Sequence, residues 1–422
     1  MSNKKIKIIT ISDHPFAPSG IGHMTKNMIE HLLKGYPDKY EFFSLGGAMR
    51  HENYDLSIVP EYGENWKILP VDNYGNQDII RSIVRNENPD ILWFMTDPRF
   101  WGWLWAIEHE IRPLCPMIYY HVWDNYPLPT YNRSAYLSND QIVTISKVTD
   151  DIVKQVAPEV ERTYLPHAVN TDVFKPLKDD EVSVLRSENM PDVASDKVIF
   201  FWNNRNARRK QSGTLIHWFK KFLDKVGHDK ACLIMHTNSN DPHGQPLDQI
   251  LHELKITEGQ IFLSQDKYPP ENLAALYNMA DCTINISDAE GFGLSTLESL
   301  ACGTPIVVNM TGGLQEQVTD GKEWFGIGIE PCSKAIIGSQ EIPWIYEDRL
   351  NEDEFIDALT KIYEMSPEER RELGLKGHQH VLKNYSFNKY IEQWDTVFTE
   401  SYENFGSWST RKKYKPWEMI KL

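Results

Sequence analysis

The chain has 422 residues, of which 41% are hydrophobic and 25% are charged, and its formal net charge is −16 at pH 7. This composition is that of an ordinary globular protein, and the length is enough for two domains. The acidic balance argues against a surface that holds duplex DNA non-specifically.

Hydropathy and cysteine usage favour a reduced, cytoplasmic protein. No run approaches 18 apolar residues, so no membrane-spanning helix is expected, and the N-terminus reads as a first buried strand rather than a signal peptide. The five cysteines are scattered and odd in number. Because no Asp-x-Asp, His-Glu-x-x-His or Cys-x-x-Cys pattern occurs, no dedicated metal site is expected.

Short apolar runs alternate with amphipathic stretches along the chain, which is the pattern of parallel α/β domains. Strands are predicted at 7–12, 91–95, 117–121, 141–145, 198–202, 231–236, 260–263, 282–286 and 305–308. The first helix is predicted at 21–33, where apolar residues recur at helical spacing and the methionines are assigned to the core. Ser366-Pro-Glu-Glu369 has the form of a capping box with proline at the first helical position.

Two segments of the first half carry candidate ligand contacts. Gly20 and Gly22 follow the first predicted strand, and glycines there would let backbone amides approach a phosphate or a sugar. His121 ends the third predicted strand, and a tryptophan and an aspartate follow it within three residues. A lone histidine is usually structural, and a lone Gly-x-Gly often only tightens a strand–helix link.

Tryptophans are concentrated in the segment 93–105. If this segment is one helix, its expected buried face consists of Phe100, Trp103, Leu104 and Ile107. Trp101 and Trp105 fall on another face, where they either pack against a neighbouring element or form an aromatic platform for a sugar, a base or an apolar acceptor.

Two stretches are basic. The basic loop, residues 203–210, directly follows the strand predicted at 198–202, and such loops are where open α/β sheets bind ligands. Arg205 and Lys210 could supply the compact positive charge that a diphosphate leaving group needs. Arg208 and Arg209 are either part of that site or simply exposed. The tail 411–417 could touch an anionic membrane or a nucleic acid, but it is expected to be solvated.

The segment 288–313 carries the strongest functional signal. Glu290 and Glu298 stand eight residues apart around a Gly-Phe-Gly turn that opens a short predicted helix, and a glycine pair follows the next strand. The rise per residue separates the two glutamate backbones by more than about 10 Å. A glycosidase needs carboxyl groups roughly 5–9.5 Å apart. The two carboxylates are therefore better placed to bind opposite ends of a long ligand than to act as an acid–base couple on one bond.

This segment resembles the donor-site signature of retaining, GT-B-fold glycosyltransferases of family four, the glycosyl transferases group 1. The shared pattern is a glutamate, Gly-Phe-Gly-Leu, a second glutamate, Ala-Cys-Gly-Thr-Pro and a Gly-Gly loop. The resemblance implies that Glu290 contacts the transferred sugar and that Glu298 binds the ribose hydroxyls of the nucleotide. It also implies donor contacts from the backbone of Gly291, Phe292, Gly293 and Leu294.

The resemblance extends to the other candidate residues. In the family the basic loop carries an arginine and a lysine on the donor pyrophosphate, which Arg205 and Lys210 match in spacing, although the flanking glycines are absent. It implies that His121 positions the transferred sugar rather than serving as a general base. By the same resemblance, Gly20 and Gly22 stand at the position of a donor-binding glycine turn.

The implied fold is α/β of the GT-B type, in which two Rossmann-like domains face each other across a cleft. The segment 165–176 resembles the family's interdomain segment. The predicted domains are 1–176 on the acceptor side and 177–388 for the nucleotide-sugar donor. A C-terminal helix and tail, 389–422, are expected to return to the first domain.

The reaction implied is a retaining, metal-independent transfer of a sugar, most simply a hexose, from a nucleotide sugar to an acceptor hydroxyl. No cofactor is expected beyond the nucleotide-diphosphate sugar as co-substrate. A sugar-nucleotide epimerase, a phosphorylase and a non-catalytic nucleotide-sugar binder stay open as alternatives. The acceptor is open too: a glycan, a lipid-linked sugar, a small molecule, a protein or a modified nucleic-acid base, with peripheral membrane contact among the options.

Overall fold

The computed structural model describes residues 4–191 and 193–415, which fall into two units. Unit 1 consists of the chain up to His167, the segment Ser339–Pro343 and the chain from Asn388. Unit 2 consists of Ala168–Gly338 and Trp344–Phe387. The division after His167 lies inside the segment 165–176, and the chain from Asn388 belongs to unit 1.

Within the described residues, unit 1 is built on an eight-stranded sheet in the order β3-β4-β2-β1-β5-β6-β7-β8, parallel except for the β3–β4 pair. Its strands are β1 Ile6–Asp13, β2 Tyr40–Gly47, β3 Ser57–Ile58, β4 Trp66–Pro70, β5 Ile91–Thr96, β6 Met117–His121, β7 Gln141–Thr144 and β8 Glu161–Tyr164. Its helices are α1 Gly20–Gly35, α2 Gln77–Glu87, α3 Gly102–Trp105, α4 Glu108–Ile111, α5 Arg133–Leu137, α6 Lys147–Val156 and, from Asn388 onward, most of α15 Phe387–Phe405.

Unit 2 is built on a parallel six-stranded sheet in the order β11-β10-β9-β12-β13-β14, with a separate antiparallel hairpin β15–β16, counted over the part of the chain that is described. Its strands are β9 Val198–Asn203, β10 Ala231–His236, β11 Ile261–Ser264, β12 Cys282–Asn285, β13 Ile306–Asn309, β14 Gly326–Ile329, β15 Ser333–Ile337 and β16 Ile345–Arg349. Its helices are α7 Asp179–Asn189, α8 Ser212–Val226, α9 Leu247–Leu254, α10 Pro270–Met279, α11 Leu294–Ala301, α12 Leu314–Val318, α13 Glu352–Glu364 and α14 Pro367–Asn384.

The nine predicted strands are confirmed, each within one residue of its predicted bounds. They form because parallel strands are covered on both faces and so read as near-continuous apolar runs. The first helix is confirmed as α1, with Met24 and Met28 buried. The capping box is confirmed at the start of α14, where the Ser366 hydroxyl accepts from the Glu369 amide and the Glu369 carboxylate accepts from the Ser366 amide.

The tryptophan-rich segment differs from the predicted single helix. The backbone leaves helical geometry at Trp101 and Ile107, so the segment forms two one-turn helices, α3 and α4. As a result, Phe100 is 42% exposed, and its assignment to the buried face was wrong. Trp101 is fully buried, with its ring 5.1 Å from Tyr74 and 5.0 Å from Phe94, so it packs in the core and is no platform.

The expectation of a solvated tail was wrong for Arg411. Its guanidinium forms an ion pair with Asp140, and both side chains are almost completely buried. Asp140 also accepts from the Arg112 Nε atom at 3.1 Å. Trp417 lies outside the described residues. No helix in 4–191 or 193–415 combines the length and the apolar run needed to cross a membrane.

Replacing Arg411 with alanine is expected to lower the free energy of unfolding by about 2–3 kcal/mol. Breaking a buried ion pair by removing one partner costs roughly 3–5 kcal/mol, because the other charge stays buried, and here Arg112 retains part of the interaction. Urea denaturation checks this value. The control is Lys415→Ala at an exposed position of the same tail. An equal loss in both variants would contradict the role of Asp140.

Candidate active site

A sharp turn places Glu290 and Glu298 at the carboxyl edge of the unit 2 sheet. Residues 286–293, here called the acidic loop, connect β12 to α11 and contain Glu290, whereas Glu298 lies inside α11. Gly293 caps α11 with φ 91° and ψ 68°, and a Cβ atom there would stand 2.6 Å from Leu314. Only glycine fits both the left-handed backbone and the close approach. The free N–H groups of α11 begin directly after it.

Lys210 and Glu290 form an ion pair. Lys210 ends the basic loop, which follows β9, and its Nζ atom donates to Glu290 Oε2. The side chains are only 9% and 12% exposed. The Arg209 Nη1 atom lies 3.7 Å from the same carboxylate oxygen and donates to the carbonyl of Ala289. Two candidate residues that are 80 positions apart therefore meet, with Arg209 beside them.

Arg205 has other partners. Its Nε atom lies 2.7 Å from Asp241 Oδ2, its Nη2 atom lies 2.8 Å from His243 Nδ1, and its side chain is 60% exposed. The hydrogen bond from Arg205 holds the pKa of the Asp241 carboxyl well below its usual range. Arg205 is thus an exposed cation near the end of β10, and its contact with a diphosphate stays a prediction.

A hydrogen-bond chain holds Glu298. The Asn203 Nδ2 atom donates to the Tyr277 hydroxyl at 2.8 Å, and that hydroxyl donates to Glu298 Oε2 at 2.8 Å. Burial raises the pKa of Glu298 to about 7, an effect that the Tyr277 hydroxyl partly opposes by stabilising the carboxylate. Tyr277 was missed from the sequence, because a tyrosine on an apolar helix carries no motif.

The second glycine turn packs directly against the first. Residues 310–313, here called the glycine loop, follow β13, and the Gly313 amide donates to the carbonyl of Glu290 at 3.0 Å. A Cβ atom on Gly313 would stand 2.6 Å from the Cα atom of Phe292. Phe292 is buried, with its ring 5.9 Å from Tyr385. Any donor contact from Phe292 must therefore come from its backbone, as predicted for Gly291, Gly293 and Leu294 as well.

In unit 1, Gly20 is the first residue of α1, and Ser19 caps that helix. The Gly22 amide donates to Ser19 Oγ at 3.1 Å, and a Cβ atom on Gly22 would stand 2.6 Å from the carbonyl oxygen of His14. The close approach explains the glycine at 22 on structural grounds. A donor-binding role for Gly20 and Gly22 stays a prediction.

His121 lies at the end of β6 and is fully buried. Tyr119 donates its hydroxyl to the Thr96 carbonyl at 2.6 Å, so its oxygen is free to accept from His121 Nδ1 at 3.0 Å. The Tyr136 hydroxyl then donates to Nε2 at 2.8 Å. Burial lowers the pKa of His121 to about 3, so the ring is neutral. The predicted sugar contact requires the Tyr136 hydroxyl to move away.

Further charged residues surround the acidic loop. Arg208, which was left undecided, makes a two-atom contact with the buried carboxylate of Glu347 on β16. Arg349, also on β16, contacts Asp288 in the acidic loop. Across the described ranges, no group of three or more His, Cys, Asp or Glu side chains is arranged to hold a metal ion.

Comparisons with known proteins find similarity to glycosyltransferases. Residues 187–380 match the family model described as glycosyl transferases group 1. D-inositol 3-phosphate glycosyltransferase of Corynebacterium jeikeium is 33% identical over 162 residues, which are 37% of this chain and 38% of that protein. GDP-mannose-dependent alpha-(1-6)-phosphatidylinositol monomannoside mannosyltransferase of Mycolicibacterium smegmatis is 28% identical over 191 residues, which are 43% of this chain and 47% of that protein. The matches thus span less than half the length of either relative.

The likeness in fold covers much more of the chain. Sucrose-phosphate synthase from Thermosynechococcus elongatus superposes with a TM-score of 0.73 over 95% of this chain and 100% of that one, at 15% sequence identity. At such low sequence identity, the structural similarity supports the fold and not a shared function. Residues 187–380 are thus similar to the glycosyl transferases group 1 family, and the fold of the chain is GT-B.

Proposed function

We propose that the chain is a glycosyltransferase that moves a sugar, most simply a hexose, from a nucleotide-diphosphate sugar to an acceptor hydroxyl. In this proposal the anomeric configuration is retained, and neither a metal ion nor a cofactor takes part. The names of the two relatives support it, since both are sugar transferases and one depends on GDP-mannose. The observation that carries it is the Lys210–Glu290 pair beside the glycine-capped start of α11.

Each side chain has one role in this proposal. Lys210 and the first amides of α11 stabilise the negative charge that develops on the departing diphosphate. When the diphosphate takes over Lys210, Glu290 loses its ion-pair partner and becomes an acceptor for a hydroxyl of the transferred sugar. Glu298 accepts from the ribose hydroxyls. Arg205 releases Asp241 and contacts the diphosphate instead. The exposure of the Arg205 side chain permits this exchange of partners.

A cytoplasmic location is part of the proposal. All five cysteines are free, four of them buried and Cys332 exposed. Unpaired cysteines are in keeping with a reducing compartment.

The test is a thermal-shift screen of UDP-, GDP- and ADP-sugars, followed by turnover assays on the sugars that bind. We expect one donor to raise the melting temperature and to be hydrolysed slowly, with transfer once an acceptor is added. NMR of the product reports the anomeric configuration. An epimerase would convert the donor without any acceptor, a phosphorylase would require inorganic phosphate, and a binder would show no turnover.

Chelation is expected to leave turnover unchanged within about twofold, because protein groups rather than a metal ion stabilise the diphosphate. The measurement is donor hydrolysis before and after dialysis against EDTA. A loss that is restored by Mg²⁺ or Mn²⁺ would overturn the metal-independent part of the proposal.

Affinity for the nucleoside diphosphate is expected to rise as the pH increases through about 7. The pKa of Glu298 is raised to about 7, so this carboxyl is protonated at lower pH and only its ionised form accepts from both ribose hydroxyls. Isothermal titration calorimetry between pH 6 and 8.5 measures the effect. The phosphates titrate too, so Glu298→Gln is the reference that lacks the carboxyl. Parallel pH curves for both proteins would contradict the assignment.

A further inference from the structure

Strand β16 of the hairpin contacts all three loops of the candidate active site. The Asp348 amide donates to the carbonyl of Asp288 in the acidic loop at 2.9 Å. The Asp348 carboxylate accepts from Thr311 Oγ1 in the glycine loop at 2.7 Å, and its carbonyl accepts from Asn309 at the end of β13 at 3.1 Å. Arg208 binds Glu347 from the basic loop. The hairpin thus contacts the candidate active site through strand β16.

Arg349 bridges two buried carboxylates, one in the acidic loop and one on β16. Its Nη1 atom donates to Asp288 Oδ2 at 2.5 Å, and its Nη2 atom donates to Glu347 Oε2 at 2.9 Å. The two carboxylate side chains are only 4% and 3% exposed. Arg208 completes a row of alternating charges, Arg208–Glu347–Arg349–Asp288. Without Arg349, the Asp288 carboxylate keeps the hydrogen bond from Gln211 Nε2, but this amide carries no charge. Loss of the cation beside a buried carboxylate is strongly unfavourable.

Asp288 in turn fixes the start of the acidic loop. Its amide donates to the carbonyl of Arg209 at 2.8 Å, and its own carbonyl accepts from Asp348. Its side chain and both of its backbone polar groups are therefore held. Glu290 follows two residues later. The position of Glu290 beside Lys210 thus depends on what holds Asp288.

We propose that Arg349 is a positioning residue of the candidate active site, which acts through Asp288 to set where Glu290 meets Lys210. The planar guanidinium suits this task because it offers donors to two carboxylates at once, whereas a lysine ammonium is a single point charge. The catalytic side of this inference rests on the proposed function. Its structural side does not.

The experiment compares four full-length proteins by hydrogen exchange with mass spectrometry, in the absence of added ligand. They are the wild type, Arg349→Gln, Arg349→Lys and Arg371→Gln. The last is a matched control, because Arg371 is an arginine of the same unit whose ion pair is with Asp179 on α7. The lysine variant keeps the positive charge and serves as the rescue, should the glutamine variant fail to fold.

We expect exchange in the peptides that cover 286–294 to accelerate on the order of tenfold in Arg349→Gln, less in Arg349→Lys, and not at all in Arg371→Gln, because a local opening needs only the loss of local contacts. Unchanged exchange in both Arg349 variants would overturn the proposal.

Kinetics on the preferred donor give the second readout. A displacement of about 1 Å can cost on the order of a hundredfold in rate, so kcat should fall roughly tenfold to a hundredfold in Arg349→Gln. Affinity for the free UDP, GDP or ADP should stay within about threefold, since Glu290 is assigned to the sugar and not to the nucleotide. A wild-type kcat combined with faster exchange would overturn the positioning role. If the wild type turns over no donor, the proposed function has failed, and exchange alone still decides for or against Arg349.

Discussion

Lys210→Ala is expected to lower kcat by roughly a hundredfold to a thousandfold, with a much smaller change in the affinity for the donor. Removing one preorganised donor from the site of developing charge typically costs about that much in rate. The charge on the diphosphate grows as the sugar leaves, so the lysine contributes more to the transition state than to the bound donor. In the proposed donor complex, the exposed Arg205 and the first amides of α11 would still hold the phosphates in the ground state.

The structure adds a second consequence of this substitution. Among the described residues, Lys210 is the closest cation to the Glu290 carboxylate, and Arg209, at 3.7 Å, is the cation that remains beside that group without it. The carboxylate is only 12% exposed, so part of the loss comes from a Glu290 that is no longer held in place. Lys210→Arg separates the two effects, because it keeps the ion pair but changes the geometry toward the phosphates.

Steady-state kinetics with the preferred donor, together with calorimetric titration of the product nucleotide, measure both parameters. Lys220→Ala is the control, since it removes a lysine from α8 that pairs with Asp224 within the same helix. A proportional fall in donor affinity, with kcat near the wild-type value, would show that Lys210 binds the ground state and would contradict its assignment to the leaving group.

The strands that hold the site could be predicted because a strand that is buried on both faces has a near-continuous apolar sequence. β9 and β12 are neighbours in the sheet, so the loops at their carboxyl ends, which carry Lys210 and Glu290, emerge side by side. The motif residues therefore pointed to one site before any contact was known. Their mutual ion pair was not predicted, because each had been assigned to the ligand alone.

Strand β2 shows why other elements were missed. It ends in Gly46 and Gly47, a pair that reads as a turn in the sequence. In the structure these glycines are extended, and a Cβ atom on Gly47 would stand 1.8 Å from the carbonyl oxygen of Asn73. The glycine is required by a neighbour that is distant in sequence. Local pattern carries no information about such a close approach.

The residues that support the site were hidden for a similar reason. Asp288 and Arg349 are 61 positions apart, and Tyr277 and Glu298 lie on separate helices. Charged residues on a polar hairpin are usually solvated, so nothing in β16 marks Arg349 as a partner of the acidic loop. Groups that touch a ligand recur in motifs, whereas groups that hold them are set by tertiary packing.

Glu298→Ala is expected to weaken binding of the nucleoside diphosphate by roughly a hundredfold to a thousandfold, while kcat at saturating donor falls less than about tenfold. A hydrogen bond to a charged group contributes about 1.5–3 kcal/mol, and Glu298 is assigned two of them, to the ribose hydroxyls. The contribution does not change during sugar transfer, because the ribose is remote from the reacting bond. The loss should therefore appear in binding and not in turnover.

A 2′-deoxynucleoside diphosphate turns this expectation into a thermodynamic cycle. Wild-type protein should bind it more weakly than the ribonucleotide, whereas Glu298→Ala should discriminate between the two only weakly, so that the two changes are not additive. Tyr277→Phe is the companion variant: it keeps the carboxylate but removes the hydroxyl that holds it at 2.8 Å, and it should fall between the wild type and Glu298→Ala. Additive losses across the cycle would separate Glu298 from the ribose. The carboxylate would then serve to hold the Tyr277 hydroxyl and the end of β9 through Asn203, a role within the fold of unit 2.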